Sequence, residues 1–169
     1  MEARRRLLTW LLVAAVAFLL PRGAWGGPME MLVGGPVGAS VGLGLFLSLR
    51  SLKWQRALDP LAESPKRVIR LPIAGSILEE LVWRGIVLHL LRAYVALPLS
   101  LAAATVGFAI AHFDSQHWRG VAVHTITGLS FAGVLIATGT VISAVAAHVA
   151  YNLLISHHRN GIAEARSNA

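Results

Sequence analysis

The sequence predicts an all-α fold, a polytopic transmembrane bundle of about six helices, and three observations carry that expectation. First, 56% of the 169 residues are apolar and only 14% are charged, against roughly 25% charged in soluble globular chains. Second, six apolar stretches follow one another along the chain. At ~20 residues per helical span the length has room for about six crossings and little else. Third, the positive charge is segregated. With a cytoplasmic N-terminus, 12 of the 15 Lys and Arg residues fall in inside segments, against only Arg22 and Arg92 outside. That is the asymmetry expected of cytoplasmic loops, and it accounts for the net charge of +7 without a nucleic-acid partner. The chain has no cysteine, which excludes disulfides, thiolate nucleophiles and Cys-ligated metal centres.

The elements follow in order. Leu7–Leu20 is a first span, or the h-region of a signal peptide. Met1–Arg6 is a charged n-region and Ala24-Trp25-Gly26 a small-x-small site, so cleavage there leaves five spans. Met31–Leu49 carries Gly34, Gly38 and Gly42, the spacing that lets helices approach closely. Arg50–Arg70 is the only long polar loop, either solvated or lying on the membrane surface as an amphipathic helix. Leu71–Leu91, Val95–Phe113, Val121–Ala137 and Thr140–Ser156 complete the set, with breaks at Pro21–Pro28, Arg92–Tyr94, Asp114–Gly120 and Thr138–Gly139. Three regions result: two spans and a basic loop over 1–70, a helical core over 71–156, and a polar tail over 157–169. Both termini are cytoplasmic if the first helix is retained.

Chemistry is sought where polar groups sit too deep. A charge at mid-bilayer costs about 2.5–3.5 kcal/mol on the lenient insertion scale, so it needs a partner and a reason. Of the Asp, Glu, Lys and Arg residues only Glu79, Glu80 and Arg84 lie deep in a span, all in one helix. Glu80 and Arg84 are four apart and can pair; Glu79 is turned about 100° away. Two carboxylates and one guanidinium leave a charge over, more than a packing pair requires. His112 ends the fourth span with Phe108 on its face, and His148 lies within the sixth, followed four residues later by Asn152. A carboxylate can deprotonate water, and a histidine and an amide can donate to an oxyanion. His89 and His124 also sit in apolar stretches, while His117, His157 and His158 are interfacial.

At these residues the chain resembles the CAAX-protease and bacteriocin-processing (CPBP) family of intramembrane proteases. Glu79-Glu80-Leu81-Val82-Trp83-Arg84 matches its EExxxR motif, Phe108 to His112 its FxxxH motif, and His148 to Asn152 its HxxxN motif. The resemblance covers about Pro72–Ser156, and the chain is shorter than the eukaryotic prenyl-protein proteases of the family. It implies an endopeptidase acting on a membrane-associated protein or peptide: a prenylated protein, a peptide, or a protein with a C-terminal sorting segment. Its setting would be the bilayer, in the bacterial inner membrane. Carried over by motif, Glu79 is the general base, His112 helps to position the water, His148 and Asn152 stabilise the oxyanion, and Glu80, Arg84 and Phe108 support the site. No cofactor is favoured. Zinc held by Glu79, His112 and His148 is the alternative, disfavoured because HExxH is missing and each ligand lies on a different helix.

Depth agrees with convergence of these groups. At 1.5 Å per residue, Glu79 lies about 13 Å below the cytoplasmic boundary marked by Arg70, and Asn152 about 10 Å below that marked by Arg159. His148 is about 6 Å deeper than Asn152, and His112 is shallower, the loosest fit of the set. The rival readings from other classes are a non-catalytic scaffold or immunity protein and a proton-relay transporter. The inverted repeats that would favour transport are not visible.

Overall fold

The computed structural model describes residues 11–18, 20, 22–50 and 70–167, and every regular element among them is helical. Helix α1 covers residues 11–18, and a short 3-10 turn follows at Arg22–Ala24. Helix α2 is Pro28–Arg50. Helix α3 runs without a break through three segments, α-helical Arg70–Glu80, π-helical Leu81–Val87 and α-helical Leu88–Arg92. Helices α4 (Leu97–Ile110), α5 (Phe113–Thr138) and α6 (Val141–Ser167) complete the chain. The first part of the Leu7–Leu20 stretch and nearly all of the Arg50–Arg70 loop lie outside the described residues.

Three expected boundaries are corrected. The fourth helix is shorter than the span read over Val95–Phe113: Pro98 near its first turn starts it, and the backbone turns at Ala111 and His112. The break expected over Asp114–Gly120 is helical, and an acidic residue near a helix N-terminus suits the helix dipole. The polar tail after Ser156 continues α6 to Ser167, since Ala, Glu and Arg propagate a helix whether or not it is buried.

Among the described residues, two helices can cross a membrane by length and composition, Pro28–Arg50 and the Gly120–Thr138 part of α5. The fourteen residues of α4 reach about 21 Å, short of the ~30 Å of a bilayer core. Both of the longer helices show large apolar side chains on the outside, including Leu32, Val33, Leu43 and Leu47 on α2 and Leu129 and Ile136 on α5.

The inner face of α2 shows why its glycines recur every four residues. Gly34, Gly38 and Gly42 are buried against α6. A Cβ on Gly38 would overlap the Ser143 carbonyl, one on Gly42 the Ala147 carbonyl, and one on Gly34 the Thr140 methyl. The two backbones therefore meet almost directly, the close approach that small residues permit. Helix α6 answers with Ser143, Ala144 and Ala147, all fully buried. Phe46, Leu49, Val123, Phe131, Val134 and Tyr151 close the core around this contact. A second cluster packs Val13, Val16 and Leu20 against Leu81 and Val141. At one end of the bundle α5 stops at Gly139, whose φ of 71° only glycine adopts freely, and α6 begins two residues later. Thr140 there donates its hydroxyl to the Trp25 carbonyl at 2.6 Å, tying the segment before α2 to this turn.

Candidate active site

Four helices supply the polar residues of the interior. Helix α3 changes from α to π geometry at the point where Glu79 and Glu80 give way to Leu81. Such wide turns free backbone groups and re-aim side chains, and they occur preferentially at functional sites. Glu80 and Arg84 straddle the change. Arg84 grips Glu80 twice, Nη1 to Oε1 and Nε to Oε2, each at 3.2 Å. Its third nitrogen, Nη2, donates to the Gly128 carbonyl on α5 at 2.8 Å, and its guanidinium lies 4.4 Å above the Phe108 ring. A Cβ at Gly128 would stand 3.0 Å from Arg84 Nη2 and 3.1 Å from Phe108, so either side chain would have to give by a few tenths of an ångström. Glu80 is fully buried and Arg84 nearly so, at 0% and 3% exposure. This pair is sealed from any reacting molecule.

Glu79 faces elsewhere. Its side chain keeps 36% of its surface, and its Oε2 lies 3.6 Å from His112 Nε2 and 3.9 Å from His148 Nε2. The other nitrogen of each imidazole is committed. His112 Nδ1 lies 2.9 Å from the Phe108 carbonyl, which can only accept, so this nitrogen carries the proton. His148 Nδ1 lies 2.8 Å from Glu80 Oε1, and donates to that carboxylate by the same reasoning. Both histidines thus turn Nε2 toward one carboxylate oxygen, and Glu80 joins the Arg84 pair to His148.

Helix α5 backs the two imidazoles with flat rings. His124 stacks on His112 with centroids 3.8 Å apart and planes 22° apart. Phe131 stacks on His148 at 4.8 Å and 23°. Phe108 sits edge-on to His112, His124 and His148 and is fully buried. One turn beyond His148, Asn152 donates its amide to the buried hydroxyl of Ser76 at 2.8 Å, and Ser76 lies one turn before Glu80 on α3.

Residues 62–154, more than half of the chain, match the family model of the Rce1-like type II CAAX prenyl endopeptidases. The chain belongs to the Rce1-like family. No curated protein and no solved structure matches it.

All of the singled-out residues fall inside the Rce1-like segment, and the structure brings most of them into contact. Glu79, Glu80, Arg84, Phe108, His112 and His148 form one connected cluster. Asn152 reaches α3 through Ser76. His112, the loosest fit by depth, stands nearest to Glu79 of the two histidines. Sequence reasoning missed Ser76, Gly128 and Phe131 and assigned His124 nothing. The polar character of His124 in an apolar stretch was a signal; Gly128 and Phe131 look like ordinary residues of an apolar helix.

Proposed function

We propose that this Rce1-like chain is an intramembrane endopeptidase in which Glu79 activates water for attack on a peptide bond of a membrane-associated substrate, a prenylated protein or peptide in the first place. The observation that carries the reading is the convergence of two Nε2 atoms on the half-buried, accessible carboxylate of Glu79. With Nδ1 protonated on both rings, neutral imidazoles offer only lone pairs there, as Glu79 does. Three acceptors facing one space call for a molecule with protons to give, and water is the smallest. It would donate to Glu79 and to His112 Nε2, which holds its oxygen ready for attack.

The charges agree with this assignment. Glu79, Glu80 and Arg84 sum to one negative charge, and with Glu80 paired to Arg84 that charge falls on Glu79, the group proposed as base. As the water oxygen bonds to the carbonyl carbon, its proton passes to Glu79. The carbonyl oxygen becomes an oxyanion that accepts from the second amide hydrogen of Asn152, the first being held by Ser76, with His148 one turn away on the same helix. When the C–N bond breaks, Glu79 returns its proton to the leaving amine. Glu80 and Arg84 hold His148 and α5 in place without touching the reacting atoms.

Zinc fits the donor set poorly. Neighbouring donors of a tetrahedral zinc site stand about 3.3 Å apart for bonds of ~2.0–2.1 Å, whereas His112 and His148 stand 3.6 and 3.9 Å from Glu79. Among the described residues no group of three His, Asp or Glu side chains is set to hold a metal ion. No step above passes through a metal.

The setting we propose is the bilayer. A core helix of a soluble protein is mostly buried, but only 28% of the apolar window of α2 and 39% of that of α5 are buried within the chain. The remaining apolar surface needs lipid. In α6 the residues that interrupt an apolar run, His148 and Asn152, turn inward to α3, so its outer face does not carry that polarity. On this reading the six-span topology, with both termini cytoplasmic if the first helix is retained, follows from the charge asymmetry, and the membrane we propose is the bacterial inner one.

The test is cleavage of a farnesylated CAAX peptide by the purified protein in nanodiscs, with Glu79→Gln beside it. Loss of the base lowers turnover by about 10²–10⁴-fold, while the Glu80–Arg84 pair and the melting temperature stay intact. Full turnover by Glu79→Gln would refute the assignment and leave a scaffold as the better account.

A further inference from the structure

Gly75, Glu79 and Trp83 follow one another along one face of α3 at intervals of four, and they meet very different surroundings. A Cβ on Gly75 would meet nothing within 4 Å among the described residues beyond its own helix backbone. Glu79 keeps 36% of its side-chain surface, with His112 standing 3.6 Å away. Trp83 is wedged: the edge of its indole, Cζ3 and Cη2, lies 2.7 and 2.9 Å from where a Cβ on Gly107 of α4 would stand. The face is open at its start, half-covered at the carboxylate and shut one turn later.

The helices around α3 explain the taper. Its Arg70–Glu80 part packs on α6, and its Leu81–Val87 part is the one that meets α4. Helices α3 and α4 therefore part from Trp83 toward the start of α3, and Glu79 and His112 stand on either side of the cleft between them. Helix α1 does not fill it, because α1 packs on a different face of α3, at Ile77, Leu78, Leu81 and Val82. The closed end is hydrocarbon. The Phe108 ring stands edge-on to the indole, with centroids 6.4 Å apart and planes at 75°. Arg84, the cation over Phe108, is 3% exposed and committed to Glu80 and to the Gly128 carbonyl, so its charge is not offered to an acidic group entering the cleft. Four residues of helix put Trp83 about 6 Å beyond Glu79. An apolar group that passes the carboxylate runs that far and meets the indole.

Resting on the proteolytic reading above, we propose that the cleft between α3 and α4 is the substrate groove and that Trp83 is a specificity-determining residue, the end wall that limits how long an apolar substrate chain can lie beyond Glu79. In a prenylated substrate that chain is the isoprenoid. A smaller side chain at 83 lengthens the groove toward Gly107 and Phe108, so a longer isoprenoid gains, while Glu79 and the two histidines keep their places.

Two measurements test this on the full chain in nanodiscs. The first compares peptides of one sequence carrying a farnesyl or a geranylgeranyl group. Relative to wild type, Trp83→Leu raises the geranylgeranyl-to-farnesyl ratio of kcat/KM by about tenfold or more, the discrimination that an apolar pocket of altered length can supply, and Trp83→Phe raises it less. The second uses the lack of native cysteine, which makes the thiol of Gly75→Cys the sole one in the chain. Its alkylation slows severalfold when the farnesylated peptide is present, and not with the same peptide lacking the prenyl group. An unchanged ratio in Trp83→Leu overturns the end wall; should that variant not fold, Trp83→Phe, closer in shape, decides the same point. A thiol that the farnesylated peptide leaves unprotected, or that both peptides protect equally, overturns the groove. A wild-type protein that cleaves neither prenylated peptide refutes the proteolytic reading alone, and the thiol comparison then decides the groove by itself.

Discussion

Replacing Arg84 by alanine removes three interactions at once, and the structure lets their cost be weighed. The guanidinium holds both oxygens of Glu80, satisfies the Gly128 carbonyl, and covers the Phe108 ring. The Arg84 and Glu80 side chains are 1% and 0% exposed, so water cannot take the place of the lost cation. Breaking a buried pair by removing one partner costs about 3–5 kcal/mol, because the other charge is stranded. The orphaned Gly128 carbonyl adds to this, although such terms overlap and do not simply sum. For a chain of this length about 1 kcal/mol moves the melting temperature by about 2–4 °C. Arg84→Ala should therefore melt lower by roughly 6–20 °C in a thermal scan of nanodisc-embedded protein. The double variant Arg84→Met, Glu80→Gln should recover most of that loss, since it strands no charge and the glutamine oxygen can still accept from His148. A melting temperature for Arg84→Ala within 2 °C or so of wild type would show that the pair is hydrated and the reasoning wrong.

Other expectations can be checked on the same preparation. Ser76→Ala removes the acceptor that orients the Asn152 amide, so turnover should fall about tenfold at unchanged KM, with Ser76→Thr retaining most of it; equal loss in both variants would point to packing instead. Gly38→Ala should lower the melting temperature by at least several degrees, at about 1–3 kcal/mol for overpacking, whereas Gly35→Ala, with nothing near its Cβ position, should be neutral. Dialysis against a strong zinc chelator should leave peptide cleavage unchanged; inactivation reversed by added zinc would assign Glu79, His112 and His148 to a metal instead.

How much of this was legible beforehand varied with the range of the interaction. Glu80 and Arg84 are four residues apart, and local helix geometry alone foretold their pairing. Phe108 and His112 likewise share a face, and they touch. The stretch of α3 from Leu81 to Val87 gave no such warning, because nothing in Leu-Val-Trp-Arg-Gly-Ile-Val distinguishes a π from an α turn. Within it Leu20 packs against Gly85, where a Cβ would stand. Ser76 and Phe131 were illegible for a related reason. Each acts across helices on a residue that only the tertiary fold brings near, and each is unremarkable within its own helix. The end of α4 failed differently: hydropathy continues smoothly through Ile110, Ala111 and Phe113, while the backbone turns at His112 to place that ring in the site.

The glycine contact between α2 and α6 has a consequence for modularity. Helix α2 lies wholly before residue 62, where the Rce1-like segment begins, yet it seals the back of the helix that carries His148 and Asn152. A chain cut down to the matched segment would expose the Ser143–Ala150 strip, a trough that bulkier residues from lipid or from a foreign helix cannot fill as closely as α2's bare backbone does. The Rce1-like half is thus not an interchangeable cassette. Any N-terminal helix grafted onto it must bring small residues at intervals of four, in the register set by Gly34, Gly38 and Gly42, or the helix bearing the proposed oxyanion donors loses the wall it leans on.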